Sequence, residues 1–198
     1  MLCDVPLFPL GTVLFPDGRL PLKIFEQRYM DMAKACLKND TAFGVCLIAS
    51  GHETGQPAVP RKIGTLARII NWDMPQLGVL EVDCRGEERF RIRSHHIEPS
   101  GLQRADIDLL GAEENSQLAT HHQFLADILA RVVEHLDDGK PLQPYRLEDA
   151  AWIGYRLGEL LPITPAARQQ LLEMDDAADR LDQIHHILEE KGLLKAER

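Results

Sequence analysis

The segment KIFEQRY brings Glu26, Arg28 and Tyr29 together, two ionic groups beside an amphipathic ring. Guanidinium groups and tyrosine rings are enriched where proteins touch ligands or each other, so these three are the candidate ligand-binding residues, suited to contact and not to catalysis. The same residues also fit a structural role, with Arg28 bound to backbone carbonyls or to Glu26 and Tyr29 set in the core. Nucleophilic catalysis needs a Ser, Cys or Thr beside a base, and the sequence has no GxSxG elbow. Ser50 and His52 stand two apart, but the glycines at 51 and 55 mark that stretch as a turn. No GxxxxGK[ST] phosphate loop occurs, since Gly139-Lys140 runs into Pro141. No enzyme activity and no cofactor are expected.

Metal ligation is not expected either. Neighbours on a strand point to opposite faces, which separates His95 from His96. Adjacent helical positions diverge by about 100°, which separates His121 from His122 and His185 from His186. Cys3, Cys36, Cys46 and Cys84 lack any CxxC spacing and read as reduced, with Cys46 and Cys84 as small buried thiols in apolar strand patterns. The carboxylate pairs Glu113-Glu114 and Asp175-Asp176 read as solvated helix-end charges.

The elements that must position these residues change character along the chain. VPLFPL, LPLKIF, FGVCLIA, KIGTLARIINW, LGVLEVDC, RFRIRSHHI and LQRADIDLL are strand-like, apolar and punctuated by Gly and Pro. One helix interrupts them from Glu26 to about Leu37, with Tyr29, Met30, Ala33 and Leu37 at helical spacing. Alternation on both sides of Gly86 predicts a hairpin turning at Gly86-Glu87-Glu88, which would set Asp83 opposite Arg91 and Glu81 opposite Arg93.

After GAEENSQ, with Asn115 and Ser116 as cap candidates, helices take over. A stripe of Leu118, His122, Leu125, Leu129, Val132 and Leu136 ends at Asp137-Asp138-Gly139 and Pro141. A second helix is predicted over Leu147 to Leu161, a third from Thr164-Pro165, and a last on the stripe Ala177, Leu181, Ile184 and Leu188, stopped by Gly192. The chain thus divides into a strand-rich unit, 1–112, and a helical unit, 113–198.

Of 198 residues, 44% are hydrophobic and 27% charged, which is ordinary globular usage and excludes wholesale disorder. No apolar run is long enough to span a membrane and MLCDVPLFPL lacks the shape of a signal peptide, so a cytoplasmic protein without a membrane partner is expected. The net charge of −9 is uneven: residues 1–112 carry 13 basic against 14 acidic groups, and residues 113–198 carry 9 against 17. Such a balance opposes phosphate backbones, so nucleic acid is not the expected partner.

PLFPLGTVLFP at 6–16, LPLKIFEQRYMDM at 20–32, FGVCLI at 43–48, IGTLARI at 63–69, GEERFRI at 86–92 and GYRLGELLPITPAARQQLLEMDDAADRL at 154–181 occur in that order. Together they resemble the Lon protease N-terminal, substrate-binding domain family over nearly the whole chain. The resemblance implies an α+β fold, a PUA-like β-barrel or pseudobarrel with one inserted helix, followed by a C-terminal α-helical bundle. It implies a protein-binding module that recognises exposed or flexible polypeptide, with polypeptide clients or a protein partner. The chain has no room for the family's ATPase and protease parts, so a stand-alone member is expected. The sequence departs from the family's pattern at Lys23 and Gln27, where His and Pro are usual, and at Met74-Pro75-Gln76-Leu77, where a turn rich in Asp and Gly is usual. The alternative is an RNA-binding PUA-like protein using Arg85, Arg89, Arg91 and Arg93, against which the predicted cross-strand acids count.

Overall fold

Val5 and Leu7 point to one side of the first strand while Phe8 and Leu10 serve a different core, so that strand must be covered on both faces. The computed structural model, which describes residues 1–111, 113, 117–136 and 143–194, shows how. The fold is mixed α+β. Six strands, β1 (Leu2–Leu10), β2 (Arg19–Ile24), β3 (Phe43–Ser50), β4 (Val59–Gln76), β5 (Val79–Ile97) and β6 (Gln103–Leu109), form one sheet in the order β2-β5-β4-β3-β1-β6. A further β5–β6 pairing closes β5, β4, β3, β1 and β6 into a ring, and β2 is left outside it as a flanking strand. β1 and β3 run parallel and every other pair is antiparallel.

Val5, Leu7, Cys46, Leu66, Phe90, Ala105 and Ile107 form one core. The other face packs Phe8, Ile24, Phe43, Leu80, Val82 and Cys84 against helix α1 (Gln27–Asn39) through Tyr29, Met30, Met32, Ala33 and Cys36. Full burial of side chains such as Leu7, Phe43 and Phe90 stabilises the unit by about 1.5–3 kcal/mol each. On the α1 stripe Cys36 is buried, whereas Leu37 is half-exposed.

The hairpin predicted at Gly86 does not exist. β5 runs unbroken through that glycine, so the two segments LGVLEVDC and RFRIRSHHI are one strand. Gly86 is required for a different reason: a Cβ there would stand 2.1 Å from the Phe15 carbonyl oxygen. The 15–18 loop is laid against the strand by Asp17 N donating to Gly86 O and Gly86 N donating to Gly18 O, each at 2.8 Å. The turn lies instead at Leu77-Gly78, between Gln76 and Val79, where Gly78 takes φ +87°.

The acid partners are corrected accordingly. Asp83 binds Arg19 at 2.5 Å and Glu81 binds Lys23 at 2.9 Å, both across β2–β5. Arg93 lies 3.4 Å from Asp108 on β6, the residue that also stands opposite Arg91, while Arg85 pairs with Asp17 and Arg89 is buried. Of the arginine stripe, Arg85 and Arg93 are therefore partnered by acids and Arg89 is buried, while exposed Arg91 stands opposite Asp108 in the ladder.

The chain separates into two compact units, Met1–Ala112 and Glu113–Arg198. In the second, a 3₁₀ turn (Thr120–His122) leads into α2 (Gln123–His135), followed by α3 (Ala150–Leu160), α4 (Pro165–Glu173) and α5 (Ala177–Glu190). α3 begins three residues later than expected because Asp149 caps it, accepting from Ala151 N and Trp152 N. It is buried almost all round. Thr164 caps α4 through Ala167 N, and Ala177, Leu181, Ile184 and Leu188 are all buried along α5. Along α2 the buried positions are Leu125, Ala126, Leu129 and Val133, so the stripe ends on the i, i+4 neighbour of Leu129 and Val132 is exposed. Asn115, Ser116, Glu114 and the 137–141 stop signals lie outside the described residues.

Glu113 overturns the expectation of a solvated carboxylate. Its side chain is 10% exposed and takes Arg180 Nη1 at 2.8 Å, Arg180 Nη2 at 2.5 Å and the Tyr155 hydroxyl. Arg180 is wholly buried, lies over the Tyr155 ring and also donates from Nε to the Leu171 carbonyl. Asp176, in contrast, is the helix-end charge expected of it, capping α5 through Ala178 N and Asp179 N.

Candidate functional site

Glu26 holds the N-cap position of α1 in extended backbone, with no side-chain cap bond. Its carboxylate instead meets Arg28 Nη2 at 2.9 Å. Arg28 is buried, donates from Nη1 to the Gly101 carbonyl at 3.1 Å, and lies over the Tyr29 ring. Tyr29 is stacked on Phe8 at 3.9 Å between ring centroids. Burial pushes the Tyr29 phenol up, outweighing the neighbouring guanidinium, so the ring stays neutral.

The three residues touch one another, but they do not converge on one cavity. Glu26 and Tyr29 line a groove of about 180 Å³ together with Leu22, Lys23, Phe25, Glu53 and Thr54. Arg28 lines a separate cavity of about 820 Å³, among Asp31, Asn39, Arg68 and Arg104. The smaller groove lies against β2, whose only strand partner among the described residues is β5. Glu53 fastens the far wall by accepting from Gly11 N at 2.5 Å. On the β5 side of the same strand, a cavity of about 390 Å³ is lined by Pro21, Leu22, Lys23, Trp72 and Val82.

Apolar residues exposed around this strand escaped the sequence reading. Phe25 is 61% exposed, Trp72 56% and Leu77 99%, with Ile70 and Met74 also open. Trp72, Val82 and Leu22 are aligned across β4, β5 and β2 by the ladder register. The available signal was Ile70, Trp72 and Met74 at alternate positions just ahead of a glycine turn, a pattern that reads equally well as a half-buried strand.

The lining groups of both cavities suit binding. In the smaller groove, aliphatic and aromatic surface is bordered by Lys23, Glu26 and Glu53, charged groups that can orient a ligand. The three buried thiols are poorly placed for attack, because burial pushes Cys84 up to about 12, raises Cys46 further and raises Cys36.

Residues 4–190 match the family described as the ATP-dependent protease La (LON) substrate-binding domain. The chain belongs to this Lon family. A solved Lon N-terminal domain protein from Xanthomonas campestris is 34% identical and superposes with a TM-score of 0.79, covering 93% of this chain and 98% of that one. The N-terminal domain of a Mycobacterium avium complex Lon protease, 18% identical with a TM-score of 0.64 over 91% of this chain and 95% of that one, shares the fold. Among curated proteins, the Lon proteases of Treponema pallidum and Escherichia coli K12 are 24% and 22% identical over 98% of the chain. The match spans only 23% and 26% of those two proteins, so this Lon domain corresponds to about a quarter of each. No described helix of the Lon domain is long and apolar enough to cross a membrane.

Proposed function

We propose that this Lon domain is a non-catalytic module that binds exposed, flexible polypeptide segments in the two grooves flanking β2. The observation that carries the reading is that exposed Phe25 lines one groove and exposed Trp72 the other, beside a strand that among the described residues pairs only with β5. Large apolar side chains standing in solvent around a groove are the usual anchors of a binding surface. Pro21 lacks an N–H and interrupts any main-chain ladder at that edge, so an extended client is held chiefly by side-chain pockets. Glu26 and Tyr29 contact the client from the groove wall, and Arg28 acts indirectly by holding both.

In this reading the strand unit is a PUA-like pseudobarrel, the helical unit is a C-terminal bundle, and the domain works in the cytoplasm without a cofactor. The membership in the Lon substrate-binding family supports the choice of polypeptide over other ligands. The test is fluorescence anisotropy with a labelled, permanently unfolded casein. Replacing Phe25 and Trp72 together by Ser should weaken binding by about 10-fold or more while leaving the melting temperature nearly unchanged, because both side chains are exposed. Equal affinity in the variant would place the client elsewhere. ATP-Mg and casein should both remain intact throughout.

A further inference from the structure

His121, His122 and Asp182 come from opposite ends of the helical unit, yet one ligand atom of each lies within 4.8 Å of the others. The sequence reading separated the two histidines as neighbours on a helix. They sit instead on a 3₁₀ turn, with ring centroids 4.0 Å apart, and the third group arrives from α5, 60 positions downstream of His122. His122 is 2% exposed and its Nε2 stands 2.6 Å from Asp182 Oδ1.

We propose that His121, His122 and Asp182 form a binding site for a divalent transition-metal ion of the zinc class. Two imidazoles and one carboxylate are borderline nitrogen and oxygen donors, which favour zinc, cobalt, nickel or copper over magnesium or calcium. Tetrahedral bonds of about 2.0–2.1 Å set ligand atoms about 3.4 Å apart. The present separations bracket that spacing, from 2.6 Å to at most 4.8 Å. His122 is fixed by burial, whereas His121 is exposed and the Asp182 side chain is 65% exposed, so the two adjustable ligands can close on the fixed one. Three protein donors leave a fourth position for water or for a partner's ligand. The acidic excess of residues 113–198 favours a cation at this place. The ion would pin the entry of α2 to the middle of α5.

The full chain, freed of metal with a chelator, would be titrated with cobalt(II) and followed by the visible bands of low-symmetry cobalt, then with zinc by calorimetry. One equivalent should bind, and zinc should raise the melting temperature. His121→Gln and Asp182→Asn each remove one donor at an exposed position, and the Asn keeps an acceptor for His122. Each should weaken zinc binding by more than about 100-fold, exceeding the usual effect of losing an outer-shell partner, and abolish the thermal shift. His95→Gln and His186→Gln should bind as the unaltered chain does. Absence of zinc binding to the unaltered chain, or binding undiminished in both His121→Gln and Asp182→Asn, would overturn the site.

Discussion

Arg180 carries a full charge into a helix-lined interior, and it is held there by Glu113, by backbone carbonyls and by the face of Tyr155. Removing one member of such a buried pair leaves the other uncompensated, at a cost of about 3–5 kcal/mol. Glu113→Ala should therefore lower urea stability by about that amount, measured through the fluorescence of buried Trp152 in the same unit. Burial also decides the cysteines. At mild alkaline pH iodoacetamide should modify exposed Cys3 alone, with Cys36, Cys46 and Cys84 reacting only after denaturation, as mass spectrometry would show. At this scale the sequence was only partly legible. Burial of Cys46 and Cys84 could be read from their apolar strand neighbours, but Glu113 was misassigned because its partner lies 67 positions away and spacing carries no trace of it. Glu26, Arg28 and Tyr29 were recognised as a group, yet only packing shows that Arg28 faces a different cavity from the other two.

Single elements show where local pattern suffices. The α5 stripe and the Thr164-Pro165 start were readable because periodicity and capping act within a turn or two of chain. Thr164→Ala should cost about 1 kcal/mol in chemical denaturation, the usual worth of an N-cap. Gly86 shows the opposite. Its flanking alternation was correctly strand-like, but glycine followed by two glutamates also has the composition of a turn, and the loop that demands the glycine comes from residues 15–18. Gly86→Ala should destabilise the strand unit by about 1–3 kcal/mol, read from denaturant-dependent exposure of Cys84, because the added methyl meets backbone and not a side chain that can swing away. The exposed apolar residues around β2 were missed for a related reason: alternation identifies a strand face without saying whether anything covers it.

The whole chain contains two units, each with its own buried residues. We propose that each unfolds as a separate cooperative block. Thiol exposure of Cys36, Cys46 and Cys84 reports the first and Trp152 emission the second, so one urea series can follow both. Glu113→Ala should move the Trp152 transition to lower urea and leave the thiol transition in place, whereas Gly86→Ala should do the reverse. A common shift of both curves in both variants would mean one cooperative block.

The ring of strands also constrains birth order. β1 must find β3 on one side and β6 on the other, with Val5 opposite Ala105 and Leu7 opposite Gln103. Until β6 has left the ribosome, β1 lacks its β6 neighbour and β5 lacks its ring-closing partner. A nascent chain stalled there exposes two sticky strand margins and apolar side chains that the finished sheet conceals. The hazard ends when β6 emerges and seals both margins at once, so pauses in translation after β5 has left the ribosome and before β6 has are the ones this fold has most reason to avoid.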